Sequence, residues 1–360
     1  MSIFGKLLTA YEKHREMKKW EKVITSNFKD LKNHKKLTKD QKKEIQDFYV
    51  SMIGKKIPLY SHEYFYSRTG IFNKEYVPTN IYHCDLVPKA NLHYLSKAYG
   101  DKNICDILFH NENVVHTILK NINGYYYFEN QPVSEKEAVA LCQNMENVII
   151  KPSQTSKGKG VQLISIKDGI TSVDGMPISD MFKQYDKNFL IQPFIKQHKD
   201  MAALNPSSLN TLRILSYRSD MEILIIYSVI RIGRKGQIID NQCAGGISTV
   251  ITSEGRLGKT AFGGYITDNI TKTDTGITLE GYQVPSYDKA IEMVKHLHLR
   301  LPFFNLIGWD VAIQENGDPL LIEFNTNPGL SQSAFCSGMG KYTERIIREL
   351  WPRPNSWFQD

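Results

Sequence analysis

The stretch GWDVAIQENGDPLLIEFNTNPG, residues 308–329, decides how this chain reads. Asn316-Gly317 separates two apolar runs, which is a strong short-range signal for a β-hairpin. With those two residues as the turn, Asp310 lies directly opposite Glu323. Side chains alternate across a strand, so Asn325 shares the face of Glu323. Trp309, Val311, Ile313, Leu320, Ile322 and Phe324 make up the other face and predict a core-facing surface. Like charges facing each other across a sheet destabilise it unless something neutralises them. A hard divalent cation does so, and Mg2+ takes one or two carboxylates together with phosphate oxygens and water. The competing reading leaves one acid exposed or paired with a lysine. Three converging oxygen donors, with Asn-Pro-Gly closing the strand, favour a metal site of Asp310, Glu323 and Asn325.

Working outward, VIIKPSQTSKGKGVQLISI (residues 148–166) ends a strand at Lys151, passes through a small-residue, lysine-containing loop and starts a second strand. Small residues let backbone N–H groups approach and cradle an anion, and Lys151 at the loop's mouth would neutralise phosphate charge. The loop is not a Walker A motif, because Gly-Lys-Gly runs into a strand without a following Ser or Thr. A basic surface hairpin would look similar. Lys102 opens a helix ahead of a strand, where a lone lysine is ordinarily solvated. FLIQPFI (residues 189–195) is an apolar strand broken at Gln192-Pro193, a strand end or hinge whose free backbone groups suit an adenine edge as well as an ordinary sheet edge. SLNTLRILSY places Asn210 and Arg213 at a strand start, and Arg213 suits bidentate grip of a phosphoryl or carboxylate group or plain surface exposure.

The rest of the chain frames these pieces. DLVPKANLHYLSKAYG predicts a helix ending at Gly100, and VVHTILKNINGYYYF predicts two strands around Asn123-Gly124. Strands dominate from Asn147 onward. Residues 1–56 predict two helices, the second opened by Thr38 and stopped at Gly54, forming a solvated hairpin that packs on the body. Fourteen lysines and one arginine against seven acids give that arm +8, so the rest of this +7 chain is close to neutral. The arm's rival role is docking to an anionic membrane or an acidic partner. Nucleic acid is a poorer partner, since no zinc-finger spacing or RNP-like aromatic pattern accompanies the charge. No apolar run reaches the roughly 20 residues a membrane-spanning helix needs, and no secretion signal is legible. Five scattered cysteines without a CxxC pair predict neither a disulfide framework nor structural zinc, which fits a cytoplasmic chain.

The order of these pieces, Gly-Asp-Lys102, Lys151 with its loop, the hinge, Arg213, then Asp310 and Glu323-x-Asn325, resembles the ATP-grasp superfamily from about Tyr99 to Leu330. SLNTLRI, the Gly245-Gly246 segment and the final hairpin are most similar to its sugar-transfer-associated group, found with surface-polysaccharide genes. The resemblance implies an α+β ATP-grasp fold with a nucleotide held between two α+β lobes. Residues 1–56 are then an added helical arm, 57–147 an N-terminal α/β lobe, 148–196 the small lobe with the phosphate loop, and 197–360 the large lobe with the metal site. It implies ATP and two Mg2+ ions as cofactors. Lys102 and Lys151 match the lysines that hold the phosphates, and Ser153, Ser156, Lys157, Gly158, Lys159 and Gly160 fall in the loop that closes over them. Gln192, Pro193, Phe194 and Ile195 match the adenine hinge, although many relatives carry Glu where this chain has Gln192. Asn210 goes with the nucleotide contacts. Asp310, Glu323 and Asn325 match the Mg2+ ligands, and Arg213 and Lys151 the cations that steady the transferred phosphoryl group or acyl phosphate.

The implied reaction is an ATP-dependent joining of a carboxylate and an amine through an acyl phosphate, in surface polysaccharide or glycoconjugate synthesis. A phosphotransferase acting on a sugar or polyol hydroxyl, and a nucleotide-binding scaffold without turnover, are the alternatives. The arm would touch a membrane or glycan-assembly proteins at the inner membrane face. Gly245, Gly246 and residues 258–265 are candidates for the acceptor pocket, and Cys243 and His198 are read as structural.

Overall fold

The computed structural model describes the chain except residues 1–2, 30, 32, 156–157, 221, 238–239, 241–244, 264–268 and 357–360, and except the side chains of residues 3–9. Ser156, Lys157, Cys243 and part of the 258–265 loop therefore lie outside the described residues.

The strands follow in order: β1 (Leu119–Ile122), β2 (Tyr125–Phe128), β3 (Gln131–Val133), β4 (Met145–Pro152), β5 (Gln162–Lys167), β6 (Ile170–Thr171), β7 (Phe189–Pro193), β8 (Thr211–Ser219), β9 (Glu222–Ile232), β10 (Ile247–Ile251), β11 (Phe262–Gly263), β12 (Leu306–Ile313) and β13 (Pro319–Asn325). They form two antiparallel sheets, β3-β2-β1-β7-β4-β5-β6 and β11-β10-β9-β8-β12-β13. Asn123 and Gly124 both have positive φ, 52° and 93°, as the predicted tight turn between β1 and β2 requires. The expected boundary after residue 147 is corrected. It falls inside β4, and β1–β3 share a sheet with β4–β7 because β1 pairs with β7.

Each sheet is covered by amphipathic helices. In the smaller lobe, Ala138 from the Glu135–Leu141 helix and Met181 and Phe182 from the Ile178–Tyr185 helix bury Ile150, Ile164 and Ile191. In the larger lobe, Ala290, Val294 and Leu297 of the Tyr287–Leu299 helix pack on one sheet face with Ile214, Trp309 and Val311. The opposite face carries Leu215, Tyr217, Tyr227 and Leu306, and N-terminal helices cover it. Arg213 and Asp310 share that second face, because Arg213 precedes Leu215 by two residues and pairs with Asp310.

The decisive hairpin departs from its expected turn in an instructive way. Ile313 pairs with Pro319, and Gln314 N donates to Asp318 O at 3.0 Å, so the loop holds three residues, 315–317. Gly317 takes φ of 87°, the left-handed position such loops need. A three-residue loop alone would move Glu323 off the face of Asp310. A bulge between the Val311–Leu321 and Asp310–Glu323 pairs leaves Ile322 unpaired and restores the facing carboxylates. The expected core face changes with it: Leu321 joins Val311 in the core, whereas Ile322 turns to the cleft between the sheets.

Helix α1 (Ile3–Lys29) and helix α2 (Lys39–Ile53) form as expected, α2 with a Thr38–Gln41 capping box and Gly54 at φ 70° as its C-cap. They do not form a self-paired hairpin. Helix α1 lies along α3 (Tyr60–Thr69) and the 79–86 segment, with Ile24 in a cluster with Tyr64, Phe65 and Tyr76. Helix α2 sinks Ile45, Tyr49 and Met52 into the large-lobe core beside Ile346 and Leu350. Lys13 pairs with Asp85, and Trp20 stacks on His83 at 3.7 Å between ring centroids. The expected helix to Gly100 breaks at Asn91, which is extended. Its side chain donates to Leu306 O at 2.7 Å and Thr326 O at 2.6 Å, tying this break to both strands at the open end of the hairpin ribbon.

Candidate active site in the cleft between the sheets

The two sheets bound a cleft whose lining brings together Lys102, Lys151, Gly158, Gln192, Pro193, Phe194, Ile195, Asp310 and Glu323 from four separate sequence segments. Lys151 sits at the end of β4, between register partners that fix its strand: Ile150 opposite Ile191 and Lys151 opposite Leu190. It is 9% exposed. Burial lowers its pKa, against the raising influence of Glu323. Among the described residues no hydrogen bond or ion pair engages its ammonium. A buried ammonium without a partner is costly, so this group is poised for an anion.

Lys102 begins a short 3-10 turn, Lys102–Ile104, capped by the Asp101 side chain, which accepts from Asn103 N. Its backbone N–H donates to Ser153 O at 3.2 Å and its ammonium to Thr155 O at 2.6 Å. The same ammonium is 3.6 Å from Glu323 Oε2. Lys102 thus bridges the phosphate-type loop and the acid of the opposite lobe. Gly160 holds φ of 75° where a Cβ would lie 2.9 Å from the Pro152 ring, so the loop's return needs glycine.

The facing carboxylates are present, but protein cations neutralise one of them. Arg213 grips Asp310 with Nε to Oδ1 at 2.6 Å and Nη2 to Oδ2 at 2.7 Å. Arg231 Nη1 adds 3.2 Å contacts to both oxygens. Burial would raise the Asp310 pKa, yet the Arg213 and Arg231 guanidiniums outweigh it and hold the carboxyl down at about 2. A carboxylate offers about four lone-pair sites, and these contacts occupy them. Asp310 therefore does not fit the direct Mg2+ ligand expected of it. Glu323 and Asn325 fit better. Glu323 is partly exposed to the cleft, beside Asp310 and with the Lys102 ammonium 3.6 Å from its carboxylate, and Asn325 Oδ1 accepts from Asn327 N at 2.9 Å.

The arrangement revises other expectations. Arg213 is buried behind Asp310, so its expected contact with a phosphoryl group is corrected to an anchoring role, while Arg231 lines the cleft. Asn210 is outside the cleft lining; its Nδ2 donates to Met201 O and Asn205 O, both at 2.8 Å, and its Oδ1 accepts from Ser208 Oγ at 2.9 Å. That saturated, buried amide holds the start of β8, and its expected nucleotide contact is corrected. Ser153 is likewise buried away from the cleft wall, its N–H bonded to Asn188 O at 2.7 Å. Gln192 donates to Thr117 Oγ1 at 3.0 Å. Its amide is thereby pinned, and the apolar surfaces of Val115, Ile149, Leu163 and Ile322 remain to sandwich a flat ring.

Among the cleft residues that escaped the sequence reading are Thr211, Arg231 and Asp240. Asp240 accepts from Thr211 N at 3.0 Å and from the Thr211 hydroxyl. Burial pushes its carboxyl up to about 6, opposed by Arg231. Arg231 was recognisable as a charge closing an apolar strand; Asp240 carried no local signal.

The two lobes enclose a cleft lined by Lys102, Lys151 and Arg231, suited to an anion, and facing it is the ribbon that carries Asp310 and Glu323. The model of the family described as sugar-transfer associated ATP-grasp matches residues 82–346. The chain belongs to that family, and its α+β lobes around the cleft are the ATP-grasp fold. Among curated proteins, none matches. Among solved structures, it is similar to an L-amino acid ligase from Bacillus licheniformis, with 8% identity and a TM-score of 0.42, over 72% of this chain and 50% of that one. It is similar to the D-alanine–D-alanine ligase of Bacillus anthracis, with 15% identity and a TM-score of 0.41, over 73% and 70%. An N5-carboxyaminoimidazole synthase from Aspergillus clavatus gives 11% identity and a TM-score of 0.42, over 74% and 56%. This chain thus spans about half the length of the first of these.

Proposed function

We propose that the protein is an ATP-dependent ligase that activates a carboxylate as its acyl phosphate and joins it to an amine, in the synthesis of a surface polysaccharide or glycoconjugate. The observation that carries this reading is the buried, unpartnered ammonium of Lys151 opening on a cleft that already holds Lys102 and Arg231. Such a cluster suits a polyphosphate. Ile149, Leu163 and Ile322 would hold the adenine ring, against the Gln192–Ile195 strand end. Lys102 and Lys151 hold the phosphate oxygens. Glu323 and Asn325 would hold a Mg2+ ion, which would supply further charge neutralisation.

The carboxylate oxygen of the acid attacks the γ-phosphorus, the bond to the β-phosphate oxygen breaks, and ADP leaves. The amine then attacks the acyl carbon, phosphate departs, and the amine's proton passes to a base. No nucleophile of the protein is needed, because phosphoryl transfer rests on positioning and charge stabilisation. Asp310 keeps Arg231 aimed at the cleft.

A coupled ADP-release assay over paired acids and amines tests the reading. ADP and phosphate should appear together only when both substrates are present. Release that needs one hydroxyl acceptor, with the phosphoryl group retained on it, replaces the ligase with a kinase.

A further inference from the structure

A second cavity, of about 220 Å³, lies apart from the nucleotide cleft. One wall comes from the N-terminal helical region, through Tyr64, Phe65, Arg68, Tyr82 and His83. The other is residues 329–334, the segment that leaves the Glu323-x-Asn325 strand. This segment is held firmly between the two sites. Tyr82 Oη donates to Pro328 O at 2.8 Å, and Tyr227 Oη accepts from Ser331 N at 2.8 Å. Pro328 packs on Gly308, where a Cβ would meet it at 2.9 Å, and Gly308 pairs with Asn325.

The walls have a definite chemistry. Tyr64, Phe65 and Tyr82 offer aromatic surface. The Arg68 guanidinium donates to the Gly263 carbonyl and, at 3.4 Å, to Tyr64 Oη, and among the described residues no carboxylate pairs with it. His83 is backed by Trp20, its rings 9° from parallel, and its buried Nδ1 has no hydrogen-bond partner among the described residues. Burial lowers its pKa to about 4, so the ring is neutral at pH 7 and can donate or accept. Aromatic surface, neutral hydrogen-bonding groups and one unneutralised cation match a hydroxylated ring that carries an anionic group.

We propose that this cavity binds an acidic sugar and is the acceptor-side site of the enzyme, with the N-terminal region as its wall. The site assignment rests on the ligase reading above; the sugar binding does not. Binding energy gathered here, on a part of the acceptor that does not react, would be available to position its reacting group beyond the 327–331 segment.

The test is calorimetric titration of the full chain with D-glucuronate, D-glucose 6-phosphate and D-glucose. At least one anionic sugar should bind tenfold or more tightly than glucose, and the better of the two tells carboxylate from phosphate recognition. Arg68→Gln should weaken that binding at least tenfold. Lys151→Met should leave it unchanged while removing ATP binding. Should Arg68→Gln fail to fold, Ser333→Trp, which fills the cavity, should give the same loss. Absence of binding by both anions, equal binding of glucose, or an equal loss in Lys151→Met overturns the proposal. Sugar binding without any ATP turnover would instead remove the ligase reading alone.

Discussion

Arg213 holds both carboxylate oxygens of Asp310, at 2.6 and 2.7 Å, across the β8–β12 pair. The pair is buried, and removing one partner leaves a guanidinium without a counter-charge. Breaking such a pair costs about 3–5 kcal/mol. Asp310→Asn should therefore lower the free energy of unfolding in urea by an amount in that range. The sign with pH follows from the depressed carboxyl. Its stabilisation is full above about pH 4 and is lost as pH falls toward 2, so wild type and Asp310→Asn should converge in acid. A difference that persists unchanged to pH 2 would remove the ion pair as the cause.

Glu323 is the more exposed acid of the ribbon, with Lys102 3.6 Å away. Glu323→Gln should keep the fold within about 1 kcal/mol, as for a partly exposed pair. Mg2+-dependent ADP release should fall by at least a hundredfold. Retained turnover with an unaltered Mg2+ requirement would remove Glu323 from the metal site.

Lys151 is buried with its pKa lowered by burial, so its charge opposes folding below its native pKa. Stability should rise as pH increases through that value toward 10.5, where the unfolded lysine also loses its proton. Lys151→Met should be at least as stable as wild type at pH 7, with the gap closing in alkali, yet should bind ATP at least tenfold more weakly. A variant destabilised at pH 7 would mean that an unseen partner neutralises the ammonium.

Asp240 has a raised carboxyl, at about 6, next to Thr211. The folded state then holds a proton that the unfolded state has released, so stability should decline as pH rises from about 4 to about 6. Asp240→Asn should flatten that part of the pH–stability profile. An identical slope in the variant would assign the titration elsewhere.

The sequence exposed what local chemistry encodes. Asn316-Gly317 and Asn123-Gly124 marked both hairpins, Thr38 and Gly54 bounded α2, and Lys151 announced the cleft from the end of its strand. What it hid was set by distant pairing. No residue near β1 tells that it joins β7, and nothing in MEILIIYSVIRI shows that Arg231 will meet Asp310, 79 positions away. The need to neutralise two facing acids was legible; that guanidiniums would meet it for Asp310 was a matter of tertiary contact. Asn210 shows the converse, since a polar residue beside a site motif proved to be a structural strut.

The unpaired Ile322 and the three-residue loop beyond it behave like two compensating frameshifts. Without the bulge, the three-residue loop would rotate Glu323 into the hydrophobic interior and bring Ile322 opposite Asp310. Deleting Ile322 removes the residue that the bulge accommodates, so the Val311–Leu321 pair would run straight into Asp310–Glu323 and the facing carboxylates should persist. The hairpin's loop thus reaches the Glu323 side chain through nothing but the parity of the strand.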